Sequence, residues 1–166
     1  LQTRAVRDGD HYVVNGAKTF ITSGVRADYY TVAVRTGDKG YGGISLLLIE
    51  KGTPGFTVGR KLKKMGWWAS DTAELFFEDC RVPAENLIGA ENGGFFCIMR
   101  HFQLERLILA VTATMTPQAA LDASTPSAPQ PDAFRRPLAG LPVLRHQLAA
   151  TATQVSVRPE PPARSC

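Results

Sequence analysis

Glu105 stands where the sequence pattern calls for an apolar side chain. On a 3.6-residue helix it lies within about 20° of Ile98, between Phe102 and Leu109 on the same stripe. An acid held in apolar surroundings resists ionisation, so its pKa rises toward neutrality. Such a carboxylate can take a proton from a weakly acidic carbon. The bland alternative is an ion pair with His101 one turn earlier, or with a base on a neighbouring helix. Other chemistry-bearing residues form weaker patterns. His11, His101 and His146 are too scattered for metal-ligand spacing, and no metal site is predicted. Cys80, Cys97 and Cys166 form an odd set without CxxC spacing, which argues against a disulfide framework or a zinc site. GxGxxG, P-loop and GxSxG signatures are absent. The run Arg60-Lys61-Leu62-Lys63-Lys64 reads as a solvated loop, with contact to an anionic ligand as the alternative; a nucleic-acid surface would be more extensive. Trp67 and Trp68, after Gly66, read as a hydrophobic lid over a β-domain rather than a stacking site.

The elements that must position these residues change character along the chain. From Leu1 to about Glu78 the apolar period is two. Thr3–Arg7 and His11–Asn15 flank the turn composition Asp8-Gly9-Asp10, and Asn15-Gly16 signals a further turn before Lys18–Thr22. Tyr29–Arg35, Ile44–Glu50, Phe56–Gly59 and Ala73–Glu78 follow as strands. Ser45–Ile49 is apolar enough to be covered on both faces. Short strands without intervening helices predict a mainly β fold, a small β-barrel or sandwich. After Arg81-Val82-Pro83 the period becomes helical. Glu91-Asn92-Gly93-Gly94 offers a helix start, and Phe95 to about Met115 predicts one long helix, apolar on most sides in its second half. Ala119–Ala123 could open another helix that Pro126, Pro129 and Pro131 stop. Leu138–Val155 is a further helical segment broken near its start by Pro142.

The chain totals agree with this division. Of 166 residues carrying a net charge of +4, nine of eleven prolines lie at or after Pro117 and fourteen of fifteen glycines before it. No stretch approaches the ~20 consecutive apolar residues of a membrane-spanning helix. The first residues lack both a Met and a signal-peptide core, so the sequence reads as soluble, intracellular and beginning inside a larger polypeptide.

Several unremarkable runs then combine. Asn15-Gly16-Ala17-Lys18-Thr19-Phe20-Ile21-Thr22-Ser23-Gly24 resembles the NG-x-K-x-(W/F)-I-(T/S)-(N/S)-G run of the acyl-CoA dehydrogenase family. Lys64-Met65-Gly66, Ser70 to Asp79, Val82-Pro83-Ala84-Glu85-Asn86, and Gly93-Gly94-Phe95 leading to Leu104-Glu105-Arg106-Leu107 match the same family in order. The resemblance covers about residues 5–115 and resumes weakly at Ala133-Phe134 and 136–155. It implies a middle β-barrel domain over 1–89 and a truncated start of the C-terminal helical bundle over 90–155, while the proline-rich run Arg158-Pro159-Glu160-Pro161-Pro162 predicts a disordered tail over 156–166. It also implies FAD as cofactor and α,β-dehydrogenation of a fatty acyl-CoA. Phe20, Ile21, Thr22 and Ser23 match the flavin-binding segment, with the Thr22 hydroxyl near flavin N5. Tyr41, Gly42, Phe96, Gln103, Leu104 and Arg106 match positions lining the acyl-CoA site. Glu105-Arg106 matches the long-chain and isovaleryl-type arrangement, in which the base that removes the α-proton precedes an arginine on this helix. The implied partners are an electron-transfer flavoprotein and, for the intact parent, further copies in a homotetramer. The implied compartment is the bacterial cytoplasm, or the mitochondrial matrix in a eukaryote.

The departures from the family pattern lie late in the chain. Pro131 and Pro142 stand where the family has an arginine and a glutamine toward FAD, and Arg135 stands where it has a glycine. Frame-shifted segments near 124–132 and after 156 would account for this. Two alternatives follow: a non-catalytic β-domain that binds a ligand or partner, and an acyl-CoA oxidase or flavin monooxygenase on the same fold.

Overall fold

Strand β1 (Arg4–Asp8) turns through Gly9-Asp10 into β2 (His11–Thr22), and the two pair antiparallel from Arg4↔Asn15 to Asp8↔His11. The structure is a computed structural model that describes residues 1–127, 132–133, 136–137 and 140–157. Five more strands complete a mixed sheet: β3 (Tyr29–Arg35), β4 (Ile44–Glu50), β5 (Phe56–Lys61), β6 (Thr72–Pro83) and β7 (Leu87–Ile88). Their order is β5-β6-β2-β1-β3-β4-β7, antiparallel throughout except for the single parallel bridge Arg4↔Arg35 between β1 and β3. Two helices follow, α1 (Gly94–Ser127) and α2 (Pro142–Ser156), with the short pair β8 (Asp132–Ala133) and β9 (Arg136–Pro137) between them in sequence. The chain divides into two compact units, Leu1–Arg100 and His101–Cys166, and the boundary falls within α1.

In the first unit the sheet curls around one core. Phe56 of β5 meets Tyr30 of β3 edge-on at 4.9 Å between ring centroids and stacks on Phe77 of β6 at 5.0 Å, although β5 and β3 are far apart in sheet order. Tyr12, Val14, Val34, Leu47, Ile49, Leu75 and Val82 fill the interior. Each such side chain contributes roughly 1.5–3 kcal/mol by leaving water. β4 is buried at Ser45, Leu46, Leu47 and Ile49, as its unbroken apolar run predicts.

Three predicted features differ. Asn15-Gly16 is not a turn: β2 runs unbroken through it, with register shifts against β6 between Val14 and Gly16 and between Lys18 and Ile21. Gly16 has φ +135°, and a Cβ there would stand 2.8 Å from the Thr3 Cα. The glycine therefore makes a bulge that lets β1 approach. Asn15 meanwhile bridges to Asp79, giving Nδ2–H to Oδ1 (3.0 Å) and accepting from the backbone N–H (2.8 Å). Second, α1 does not stop near Met115 but continues past Pro117 to Ser127, with Pro126 also inside it. The strong helix formers Gln118, Ala119, Ala120 and Leu121 follow Pro117 and favour continuation, although proline removes one N–H donor and three threonines lie in the five residues before it. Third, the helical segment predicted from Leu138 starts at Pro142, in the first-turn position where proline's fixed φ suits a helix. Pro129, Pro131, Phe134, Arg135, Leu138 and residues 158–166 lie outside the described residues, so the predictions on them do as well; of the predicted tail, Ser156 is the last residue of α2 and Val157 follows it.

Among the described residues no helix is long and apolar enough to cross a membrane. No group of three or more metal-ligating side chains occurs among them, and neither Cys80 nor Cys97 is in a disulfide.

Candidate functional site

The last turn of β2 carries the predicted flavin run. β1 bridges to β3 only at Arg4↔Arg35, and its pairing with β2 begins at Asn15. Beyond that point no strand among the described residues separates Lys18–Thr22 of β2 from Tyr29–Ala33 of β3. A cavity of about 480 Å³ opens there, with Lys18, Ile21, Thr22, Ser23, Tyr30 and Ala33 among its walls. Its size lies within the ordinary range for small-molecule sites. Lys18 reaches across and donates from Nζ to the Ala33 carbonyl at 2.5 Å. Burial pulls the Lys18 ammonium down from its ordinary value to about 8.

The bulge between Lys18 and Ile21 changes which side chains face this cavity. Phe20, at φ 58°, turns outward and is 75% exposed, whereas Ile21, Thr22 and Ser23 line the cavity. Three of the four predicted flavin residues thus come together, and Phe20 stands apart from them. Ser23 is also left-handed, with φ 59°. Asp71 holds the turn that follows: its carbonyl accepts from the Ser23 N–H at 3.0 Å, and its Oδ2 accepts from the Val25 N–H at 2.6 Å. The Val25 hydrogen bond chiefly holds the Asp71 carboxyl below the usual range, and Arg26, 3.6 Å away, acts in the same direction. The Tyr30 hydroxyl closes the turn, its one proton shared between the Gly24 and Ala27 carbonyls at 2.9 and 3.0 Å. Lys18 and Asp71 are thus the positioning residues that motif reading passed over. Both sat inside quoted runs, but their significance depends on a bulge and a 46-residue separation that spacing does not show.

The predicted substrate residues fall in two places. In the first unit, Tyr41 and Gly42 form a short 3-10 turn, and the Tyr41 ring packs on Phe95 at 4.5 Å. Arg35 braces this loop by donating from Nη1 to the Asp38 carbonyl at 2.6 Å. Phe96 meets Phe95 edge-on and is itself 69% exposed. The start of α1 is anchored to the sheet. Asn92 gives its N–H to Ser45 Oγ, its Oδ1 accepts from Thr36, and a Cβ on Gly94 would stand 2.9 Å from the Ser45 backbone. In the second unit, α1 carries Gln103, Leu104, Glu105 and Arg106, all exposed. Phe102, Leu107, Ile108 and Leu109 around them are exposed as well. The burial predicted for Glu105 is therefore not found, because nothing among the described residues covers that apolar stripe. The tryptophan lid is not found either: Trp67 and Trp68 are each 79% exposed.

A curled β-unit with a polar-lipped cavity is followed in sequence by a long helix that carries an acid in an apolar stripe. The sequence pattern described as "Acyl-CoA dehydrogenase, middle domain" matches residues 1–80, and that described as "Acyl-CoA dehydrogenase, C-terminal domain" matches residues 92–158. The chain belongs to the acyl-CoA dehydrogenase family, with its middle domain and part of its C-terminal domain. It is similar to the crystal structure of a probable acyl-CoA dehydrogenase from Mycobacterium abscessus, with 62% identity, a TM-score of 0.87, and coverage of 95% of this chain and 42% of that one. It is 41% identical to isobutyryl-CoA dehydrogenase of Dictyostelium discoideum over 93% of this chain and 38% of that protein. It is 39% identical to the long-chain specific acyl-CoA dehydrogenase of Sus scrofa over 95% of this chain and 37% of that protein. The chain therefore spans about two-fifths of the length of these relatives.

Proposed function

We propose that this chain is the flavin-seating and base-bearing portion of an acyl-CoA dehydrogenase that oxidises the α,β bond of a fatty acyl-CoA. The observation that carries the reading is the cavity walled by Ile21, Thr22, Ser23 and Lys18, held in shape by Asp71. The family is FAD-dependent, and these residues fit that cofactor. Ile21 offers an apolar wall for a planar ring, while Thr22, Ser23 and the Lys18 ammonium offer donors for its electron-rich polar edge. FAD supplies the acceptor for the substrate's β-hydrogen when bound. Glu105 serves as the base for the α-proton. Its exposed apolar surroundings become low-dielectric once the remaining helices of the longer parent cover the Phe102–Leu109 stripe. Arg106 follows Glu105 directly, the order shared with long-chain and isovaleryl-type members. Tyr41, Gly42, Phe96, Gln103, Leu104 and Arg106 line the acyl-CoA path. An electron-transfer flavoprotein accepts the electrons, and the parent assembles as a tetramer in the bacterial cytoplasm or the mitochondrial matrix.

The test is anaerobic mixing of acyl-CoA with the flavin-loaded, full-length polypeptide that contains this stretch. Glu105→Gln should leave flavin and acyl-CoA binding unchanged and slow flavin reduction by about 10²–10⁴-fold, the usual worth of a general base. Reduction at the parent rate would refute the role of Glu105.

A further inference from the structure

The Leu62–Ser70 loop between β5 and β6, with Lys61 at the end of β5, takes no part in the proposed flavin and acyl-CoA sites. The two features that sequence kept apart, the basic run and the tryptophan pair, are brought together here. Lys61, Leu62, Lys63, Lys64, Trp68 and Ser70 wall a second cavity of about 460 Å³, which shares no residue with the β2–β3 cavity. Among the described residues no carboxylate lies within ion-pair distance of Lys61, Lys63 or Lys64. Three lysines among the six residues of this wall concentrate positive charge there; Asp71 feels Lys61 from beyond ion-pair distance, and a bound anion would relieve the rest.

The aromatic wall is held in place. The Trp68 indole donates from Nε1 to the Lys64 carbonyl at 2.9 Å, so its polar edge is satisfied while 79% of the residue stays exposed. Trp67 sits at φ 56°, a left-handed conformation costly for so bulky a residue, and its carbonyl accepts from the Ser70 N–H at 3.1 Å. Leu62 ties the other end of the loop to β6 through its N–H to the Thr72 carbonyl at 2.8 Å.

We propose that this loop binds a nucleoside polyphosphate, with the phosphates held by Lys61, Lys63 and Lys64 and the base stacked on Trp68. Lysine ammonium groups bind phosphate as point charges, and an exposed indole face accepts a base by stacking, worth about 1–3 kcal/mol per base. Neither half alone selects a nucleotide, but together they do.

Trp67 and Trp68 are the only tryptophans, so the whole tryptophan emission of the chain reports on this loop. The experiment titrates the 166-residue chain with ATP, coenzyme A, adenosine and tripolyphosphate while following that emission. ATP or coenzyme A should quench it saturably, adenosine should not, and tripolyphosphate should displace the nucleotide. Tighter binding of ATP assigns the site to a free nucleotide, and tighter binding of coenzyme A to the nucleotide end of that coenzyme. Lys63→Glu with Lys64→Glu should weaken binding at least about tenfold without lowering the melting temperature. Trp68→Leu should bring nucleotide affinity down to that of tripolyphosphate, read by competition against a fluorescent nucleotide. No saturable quench by either ATP or coenzyme A, or an unchanged affinity in the well-folded double-lysine variant, would overturn the proposal.

Discussion

Lys18 is the residue whose chemistry the structure alters most. Burial lowers its ammonium from 10.5 to about 8 in the folded chain. Between those values the unfolded chain binds more protons, so this group makes the protein more stable as pH rises from about 8 to about 10.5. Below about pH 8 the charge is present in both states, and its desolvation is a cost that the hydrogen bond to the Ala33 carbonyl offsets only in part. Lys18→Met should therefore be the more stable form at pH 7, by about 1 kcal/mol once solvent screening of a half-buried ammonium is allowed for. The difference should fade by about pH 10.5 in urea titrations. A constant difference across that range would contradict the burial argument. Asp71 works in the opposite direction. Its carboxyl is held low by the Val25 N–H, so its contribution is present above the ordinary carboxylate range and is lost as pH falls through its depressed folded value. Asp71→Asn should remove that acid-side loss. It should also weaken flavin binding, because the turn carrying Ser23 loses its anchor; flavin fluorescence quenching at pH 5 and pH 7 would show both effects.

At the scale of elements, the bulges in β2 govern the site. Gly16→Ala sets a Cβ 2.8 Å from the Thr3 Cα at a φ of +135°. It should cost roughly 2 kcal/mol or more, seen as a lower melting temperature, because strain and a backbone clash coincide. Tyr29–Arg35 and Ile44–Glu50 were legible to the residue in the sequence, since alternation and unbroken apolar runs record burial directly. Asn15-Gly16 misled because a bulge and a hairpin turn both need a residue free to take positive φ, and local composition does not distinguish them. Lys18–Thr22 was legible as a strand, but the register shift between Lys18 and Ile21, which turns Phe20 out and leaves Ile21 at the cavity, was not. Glu105 was legible as an acid in an apolar stripe. Its burial was not, because that depends on surfaces beyond its own helix.

At the scale of the molecule, the two units are built on different terms. The first has a core shared by six strands. In the second, no described residue is fully buried and the apolar stripe of α1 is exposed. Limited proteolysis should accordingly cut first within 101–166 and leave a resistant fragment close to Leu1–Arg100, identified by mass; early cuts inside β2 or β6 would contradict this. We propose that the cavity at the end of β2 seats the flavin. The most direct measurement is a titration of this chain with FAD, followed by flavin fluorescence, for the parent sequence and for a Thr22→Ala, Ser23→Ala variant of unchanged melting temperature. The parent sequence should quench the flavin saturably, and the variant should bind severalfold more weakly. No binding, or binding that the variant leaves intact, would contradict it.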